Sequence, residues 1–187
     1  MSYATTSEMR TGIGWLDHAA RALDRLTGVL SVFGTLGILT IMGLIVADIT
    51  MRLFFAAPIM GVPEIVSMLI LSIVFLQLPN SLAHGKITRA DLLLDKLDVS
   101  HPKTRLRLDS LLHLIGAGVM AVLISAFWPL FLRSYNRGEM VGTVGQFLAP
   151  VWPSYLVVLI GAVLMCVVFL QRAISLWVLA GRWGTAA

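Results

Sequence analysis

The chain has 187 residues, of which 58% are hydrophobic and only 13% are charged, and its formal net charge is +4. A soluble domain of ordinary composition carries about 25% charged residues. This composition excludes a typical soluble enzyme or binding domain. It does not indicate nucleic-acid binding either, because most Lys and Arg residues lie between long apolar runs.

Four stretches contain no Asp, Glu, Lys or Arg, namely residues 26–47, 65–85, 110–132 and 140–171. A helix needs roughly 20 apolar residues to cross a hydrocarbon core of ~30 Å. We therefore predict an all-α integral membrane protein, a single membrane domain over residues 1–187. Its four transmembrane helices are predicted at 28–55, 62–83, 108–132 and 151–173.

Two further segments have one apolar side and one charged side, as amphipathic helices do. In residues 13–27 leucines and alanines share one side, and in residues 90–99 Asp91, Asp95 and Asp98 face away from the leucines. A helix of this kind beside a span can lie in the headgroup region. The first segment could equally form a soluble cap packed on the protein.

The distribution of basic residues predicts the orientation. Eleven of the 14 Lys and Arg residues lie in the two tails and in the connection between the second and third spans. The other three, Arg52, Arg133 and Arg137, lie on the opposite side. Because basic residues accumulate in cytoplasmic loops, both termini are predicted to be cytoplasmic.

The tryptophans agree with this orientation, because they fall at the predicted ends of the spans. Amphipathic rings prefer these interfacial positions. The candidate interface aromatics are Trp128 and Trp152 at the outer side and Trp15 and Trp177 at the inner side.

Three charged residues lie in the stretch ADITMRLFFAAPIMGVPEIV, residues 47–66. Ionisable residues in a span are functional-site candidates. At a rise of ~1.5 Å per residue, Asp48 lies about 34 Å from Arg25, and Glu64 lies about 33 Å from Lys86. Asp48, Arg52 and Glu64 are therefore expected at the outer boundary of the membrane.

Asp48 and Arg52 are four residues apart and can pair on one helix face. Glu64 follows Pro63 in the first turn of the second span, where the helix dipole favours an anion. We expect Arg52 to be the shared partner of both carboxylates. The three residues would form a clasp that fixes the hairpin of the first two spans or a contact with another subunit. Docking of an outside partner and a role with an ion or proton are the alternatives.

The predicted centre of the membrane contains no Asp, Glu, Lys, Arg or His. The residues at this depth are 36–41, 73–76, 119–123 and 159–163. Secondary transporters usually place substrate and ion sites near the midplane. The chain also has no detectable inverted repeat. This pattern is typical of an accessory or scaffold subunit more than of a pump or carrier.

Other chemistry is not indicated. The single Cys166 excludes a disulfide framework and a cysteine metal site. Only His113 of the four histidines falls within a predicted span, so paired heme ligands are not expected. Phosphate-binding glycine loops and metal-ligand spacings are not found. We predict that the chain is not an enzyme and has no cofactor.

Three stretches carry a family resemblance. They are DITMRLFFAAPIMGVPEIV at the first hairpin, HGKITRADLLLDKL at 84–97 and FLAPVWPSYLVVLIGAVLM at 147–165. In this order and spacing the chain resembles the small membrane subunit of the tripartite ATP-independent periplasmic transporters, the DctQ-like family. The second stretch makes Gly85, Lys86, Arg89 and Asp91 candidates for a cytoplasmic-side family motif.

The resemblance implies a non-catalytic scaffold subunit in the bacterial inner membrane. Its partners would be membrane lipid, a large DctM-like subunit that carries the substrate and sodium sites, and a periplasmic binding protein that delivers an organic-acid-type solute. Import would be sodium symport by an elevator mechanism, without ATP. The alternative is a free-standing four-helix channel or exporter that acts as a homo-oligomer.

Overall fold

In a computed structural model of the protein, the structure describes residues 14–84, 102–143 and 147–182. Its helices are α1 (Gly14–Phe55), α2 (Val62–Ala83), α3 (Pro102–Arg137) and α4 (Trp152–Arg182), and its strands are β1 (Met140–Thr143) and β2 (Phe147–Pro150). All four helices are long and apolar enough to cross a membrane. The predicted all-α fold with four spans is confirmed.

The helices differ from the predicted spans mainly in length. The second span lies where the sequence places it, at Val62–Ala83. The other three helices extend beyond the predicted spans at one or both ends. The predicted amphipathic segment 13–27 is helical from Gly14 onward and continues into the first span without a break, in one helix of 42 residues. The predicted surface helix at 90–99 lies outside the described residues.

Between the predicted third and fourth spans, the described residues form the end of a helix and two strands. Helix α3 continues to Arg137, and β1 then pairs with β2 in an antiparallel hairpin, with Met140 opposite Pro150 and Thr143 opposite Phe147. Gly142 has a φ of 139° and lies directly against the Phe147 backbone. A side chain cannot fit there, so this glycine belongs to strand pairing and not to a flexible connection.

Helix α4 is the centre of the bundle and has the largest buried share of the four spans. It runs antiparallel to α3, with the Ser110 hydroxyl donating to the Ala173 carbonyl oxygen at 2.9 Å. It runs parallel to α2, and Leu82, Ala83, Met165 and Val168 form a buried cluster between these two helices. Helix α1 packs mainly along α2 and hardly touches α4.

The two ends of this bundle have different contents. One end carries the turn 56–61 and the strands β1 and β2, and we refer to it as the hairpin end. The other end carries the C-terminus of α2, the start of α3 and the end of α4, and we refer to it as the terminal end.

The backbones of α2 and α4 approach closely at Gly161. A Cβ atom there would lie 2.8 Å from both the carbonyl carbon and the Cβ of Phe75. Small residues permit such close approach between helices in lipid.

We expect Gly161→Ala to destabilise the protein by about 1–3 kcal/mol, because the added methyl group overpacks a backbone contact. Gly118→Ala is the matched control, since a Cβ at Gly118 meets nothing within 4 Å. Thermal unfolding of the purified chain in detergent, followed by circular dichroism, measures both. Equal melting temperatures for the two variants would contradict the close approach.

Candidate functional site

The connection between α1 and α2 is closed by one buried carboxylate. Asp48 Oδ1 accepts a hydrogen bond from the backbone N–H of Ile59 at 2.8 Å, and Oδ2 accepts one from Arg52 Nη2 at 3.0 Å. Asp48 is only 9% exposed. The turn itself includes Ala56 with a φ of 51° and Gly61 with a φ of 86°. The carboxylate therefore ties the last turns of α1 to this strained connection.

Arg52 occupies the last turn of α1, where a cation is favourable for the helix dipole. Its side chain is 64% exposed, whereas that of Asp48 is 12% exposed. An exposed ion pair contributes ~0–1 kcal/mol to stability. Most of the guanidinium surface is thus accessible beside the turn.

Glu64 does not join the predicted clasp. It lies in the first turn of α2, as predicted, but within the described residues its Oε2 atom is buried and has no hydrogen-bond partner. The i, i+4 spacing holds the Arg52 guanidinium over Asp48 on α1, and the second Asp48 oxygen is taken by the turn backbone. The expectation that Arg52 is shared between two carboxylates is therefore wrong, and the clasp is Asp48 with Arg52 and Ile59.

The β-hairpin packs against this same turn. The Phe147 ring lies over Gly61, so closely that a Cβ on Gly61 would clash with the ring. The hairpin is also joined to the helices. Arg133 Nε and Glu139 Oε1 form an ion pair of 2.7 Å, and the Val151 N–H donates to the Glu139 carbonyl oxygen at 3.2 Å. The turn and the β-hairpin therefore form one continuous surface at the hairpin end.

Two of the predicted interface tryptophans belong to a row of aromatic rings at the hairpin end. Trp128 and Phe131 have ring centroids 6.3 Å apart, Phe131 and Tyr135 stack at 6.1 Å, and Tyr135 meets the edge of Trp152 at 5.9 Å. We name these four residues the aromatic ladder. Trp177, near the terminal end of α4, is 65% exposed. Trp15 lies in α1, and its side chain is not described.

At the terminal end, sequence analysis missed a buried charge. Arg172 falls at the very end of the predicted fourth span, but it lies inside α4 and is only 3% exposed. Its Nη2 donates to the Ala83 carbonyl oxygen at the end of α2, at 2.9 Å. The polar run of Gln171 and Arg172 before another apolar segment was the available signal. The candidate family motif, Gly85, Lys86, Arg89 and Asp91, begins just after this contact and lies outside the described residues.

His113, the histidine in the third span, is 3% exposed, and its Nδ1 lies 2.7 Å from the Asp109 carbonyl oxygen and 3.3 Å from Asp109 Oδ1. Its ring meets the edge of Phe169. Among the described residues, no group of three or more His, Cys, Asp and Glu side chains could hold a metal ion. These contacts give His113 a packing role between α3 and α4.

Removal of the buried acceptor should matter more than removal of the exposed cation. We expect Asp48→Ala to destabilise the chain by about 1–3 kcal/mol, because it leaves the Ile59 N–H without its acceptor. We expect at most about 1 kcal/mol for Arg52→Ala, since this ion pair is exposed. Thermal unfolding in detergent compares the two variants. A loss for Arg52→Ala as large as that for Asp48→Ala would refute the assignment of Asp48 as the clasp.

Comparison with known protein families gives a match to a transporter family. A family model described as "Tripartite ATP-independent periplasmic transporters, DctQ component" matches residues 41–179. This range starts within α1, ends within α4 and includes all three stretches singled out in the sequence. No curated protein and no solved structure matches the chain.

Proposed function

This chain belongs to the DctQ component family of the tripartite ATP-independent periplasmic transporters, and we propose that it is the scaffold subunit of a sodium-driven importer. In this proposal it has no catalytic role and carries neither the solute nor the sodium ion. A large DctM-like membrane subunit moves the solute by an elevator mechanism. A periplasmic binding protein delivers the solute, which is of the organic-acid type.

The central layer of the bundle is the observation that carries this proposal. Gly37 packs against Ile73, and Gly161 packs against Phe75, so the central residues of α1, α2 and α4 lie at one level. Ionisable side chains are absent from the described residues 36–41, 73–76, 119–123 and 159–163. Because transporters usually bind substrate and ions near the midplane, the transport path is assigned to a partner.

The exposed small residues on α1 and α3 support a second membrane subunit. Gly43 and Ala47 are exposed on α1, and Gly118, Ala121 and Ser125 are exposed on α3. A Cβ atom on Gly43 or Gly118 would meet nothing within 4 Å, so the chain does not use these glycines for its own packing. Ridges of small residues allow helices to pack closely in lipid. They suit contact with helices of the large subunit.

The hairpin end suits contact with the binding protein. The distribution of Lys and Arg supports an orientation in which both termini are cytoplasmic and the hairpin end faces the periplasm of a bacterial inner membrane. Arg52 then presents an exposed guanidinium at that surface, and Glu64 has a buried oxygen without a described partner. We propose that this surface, together with the β-hairpin, contacts the periplasmic protein.

Co-purification tests the proposed assembly. We expect the tagged chain, co-expressed with its large subunit, to retain that subunit through detergent purification. We expect Gly43→Leu to reduce the retained subunit several-fold, because the larger side chain blocks close helix packing. Gly28→Leu is the matched control, since a Cβ at Gly28 also meets nothing within 4 Å, and it lies outside the proposed ridge.

Two outcomes would contradict this assembly. A stable wild-type chain that fails to retain the large subunit would contradict the scaffold function. Equal retention by the Gly43→Leu and Gly28→Leu variants would remove α1 from the interface.

A further inference from the structure

The bundle is not closed on one side. Helix α1 packs along α2, and α3 packs along α4, but α1 and α3 share almost no contact in the described structure. An open groove of about 460 Å³ lies between them, with α4 as its floor. Ile160 and Val163 belong to the floor, Trp128 and Phe131 of α3 form one wall, and Leu30 of α1 belongs to the other.

The lining of this groove is entirely apolar. Every residue that lines it is Leu, Ile, Val, Trp or Phe, and no polar atom is exposed in it. A cleft that holds ordered water needs polar partners for that water. Close packing of a second helix is favoured by small residues, and the groove has none. Both features favour a flexible hydrocarbon chain as its occupant.

The groove is open to the outside of the bundle. Ile160 is 44% exposed and Val163 is 46% exposed, so the floor is open from the side along these turns of α4. Leu26, on the α1 wall, is also exposed. A chain of a neighbouring lipid can therefore enter sideways, without any opening of the bundle.

The aromatic ladder provides a polar rim for the same groove. Trp128 and Phe131 belong both to the groove wall and to the ladder. The ladder continues to Tyr135 and Trp152, which are exposed and carry an O–H and an N–H donor. Such rings prefer the level of the lipid headgroups, where ester and phosphate oxygens accept hydrogen bonds.

We infer that this groove is a phospholipid site. One acyl chain lies on α4 between α1 and α3, and the ester and phosphate region lies beside Tyr135 and Trp152. The bound lipid fills the side on which the bundle is incomplete. This inference concerns the chain by itself and does not depend on the proposed function.

Retention of lipid by the full-length chain tests the site. After extraction and gel filtration in a mild detergent, we expect close to one phospholipid per chain by native mass spectrometry. Val163→Trp fills the floor of the groove and should abolish this retention. Val122→Trp is the matched control, because Val122 is 68% exposed on α3 and does not line the groove. A wild-type chain without lipid, or equal retention by both variants, would overturn the site.

A second measurement leaves the residues of the groove floor unchanged, so it tests the site even if the Val163→Trp variant fails to fold. A variant with Trp128 as its only tryptophan is reconstituted with phospholipids brominated on their acyl chains and is then washed with detergent and unlabelled lipid. We expect quenching of Trp128 to persist, whereas quenching in a variant that retains only Trp177 is lost. Loss from both at the same rate would overturn the site.

A cross-link gives a third test. If Ile160→Cys cross-links to the large subunit in the purified complex, a polypeptide occupies the groove, and the lipid site is overturned.

Discussion

The hydrocarbon core offers no water to polar groups, and the rest of the structure depends on this constraint. Several hydroxyl groups in the spans donate within their own helices, as Thr40 does to the Leu36 carbonyl oxygen at 3.0 Å, and Ser110 of α3 donates to the Ala173 carbonyl oxygen of α4. Charged groups lie toward the ends of the bundle. Asp48 accepts the Ile59 N–H at the hairpin end, and Arg172 donates to the Ala83 carbonyl oxygen at the terminal end. The first contact satisfies an N–H of the turn, and the second satisfies a carbonyl group that the end of α2 leaves without a helical partner.

The same constraint explains why the bundle is asymmetric. Apolar side chains gain little by leaving lipid for a protein interior, so helices associate where small residues and hydrogen bonds permit close contact. Helix α4 has such contacts with both α2 and α3, through Gly161 and through the Ala173 carbonyl oxygen. Helix α1 meets α2 at Gly34 and Gly37 and is left apart from α3. The result is an open groove, which is proposed to hold lipid, and exposed ridges of small residues, which are proposed to contact the large subunit.

The number of long apolar helices could be predicted from the sequence, because a charge-free run of about 20 residues is long enough to cross a hydrocarbon core. Sequence reasoning placed α2 at the residues where the structure has it, and the resemblance to the DctQ family is confirmed by the family match. It was less successful beyond the membrane. Helices α3 and α4 extend past their apolar runs, since a helix can continue into the headgroup region or water without any apolar requirement.

Contacts between distant residues were the least predictable features. The β-hairpin depends on the pairing of β1 with β2, and the contact of Arg172 with the Ala83 carbonyl oxygen depends on α2 lying beside α4. Sequence spacing permitted Arg52 to pair with Asp48, with Glu64 or with both. In the structure Arg52 pairs with Asp48 Oδ2, while Asp48 Oδ1 accepts the Ile59 N–H of the turn. Local spacing defines which pairs are possible, whereas the path of the intervening chain selects among them.

The central claim is that this polypeptide supports transport without forming the path of the solute. Uptake of labelled organic acids by liposomes with sodium only outside, compared with liposomes in sodium-free medium, tests it most directly, with the chain alone, the chain with its large subunit, and both with the binding protein. The account predicts sodium-gradient-driven uptake only when the large subunit and the binding protein are present. Gradient-driven uptake by liposomes that contain this chain alone would contradict it.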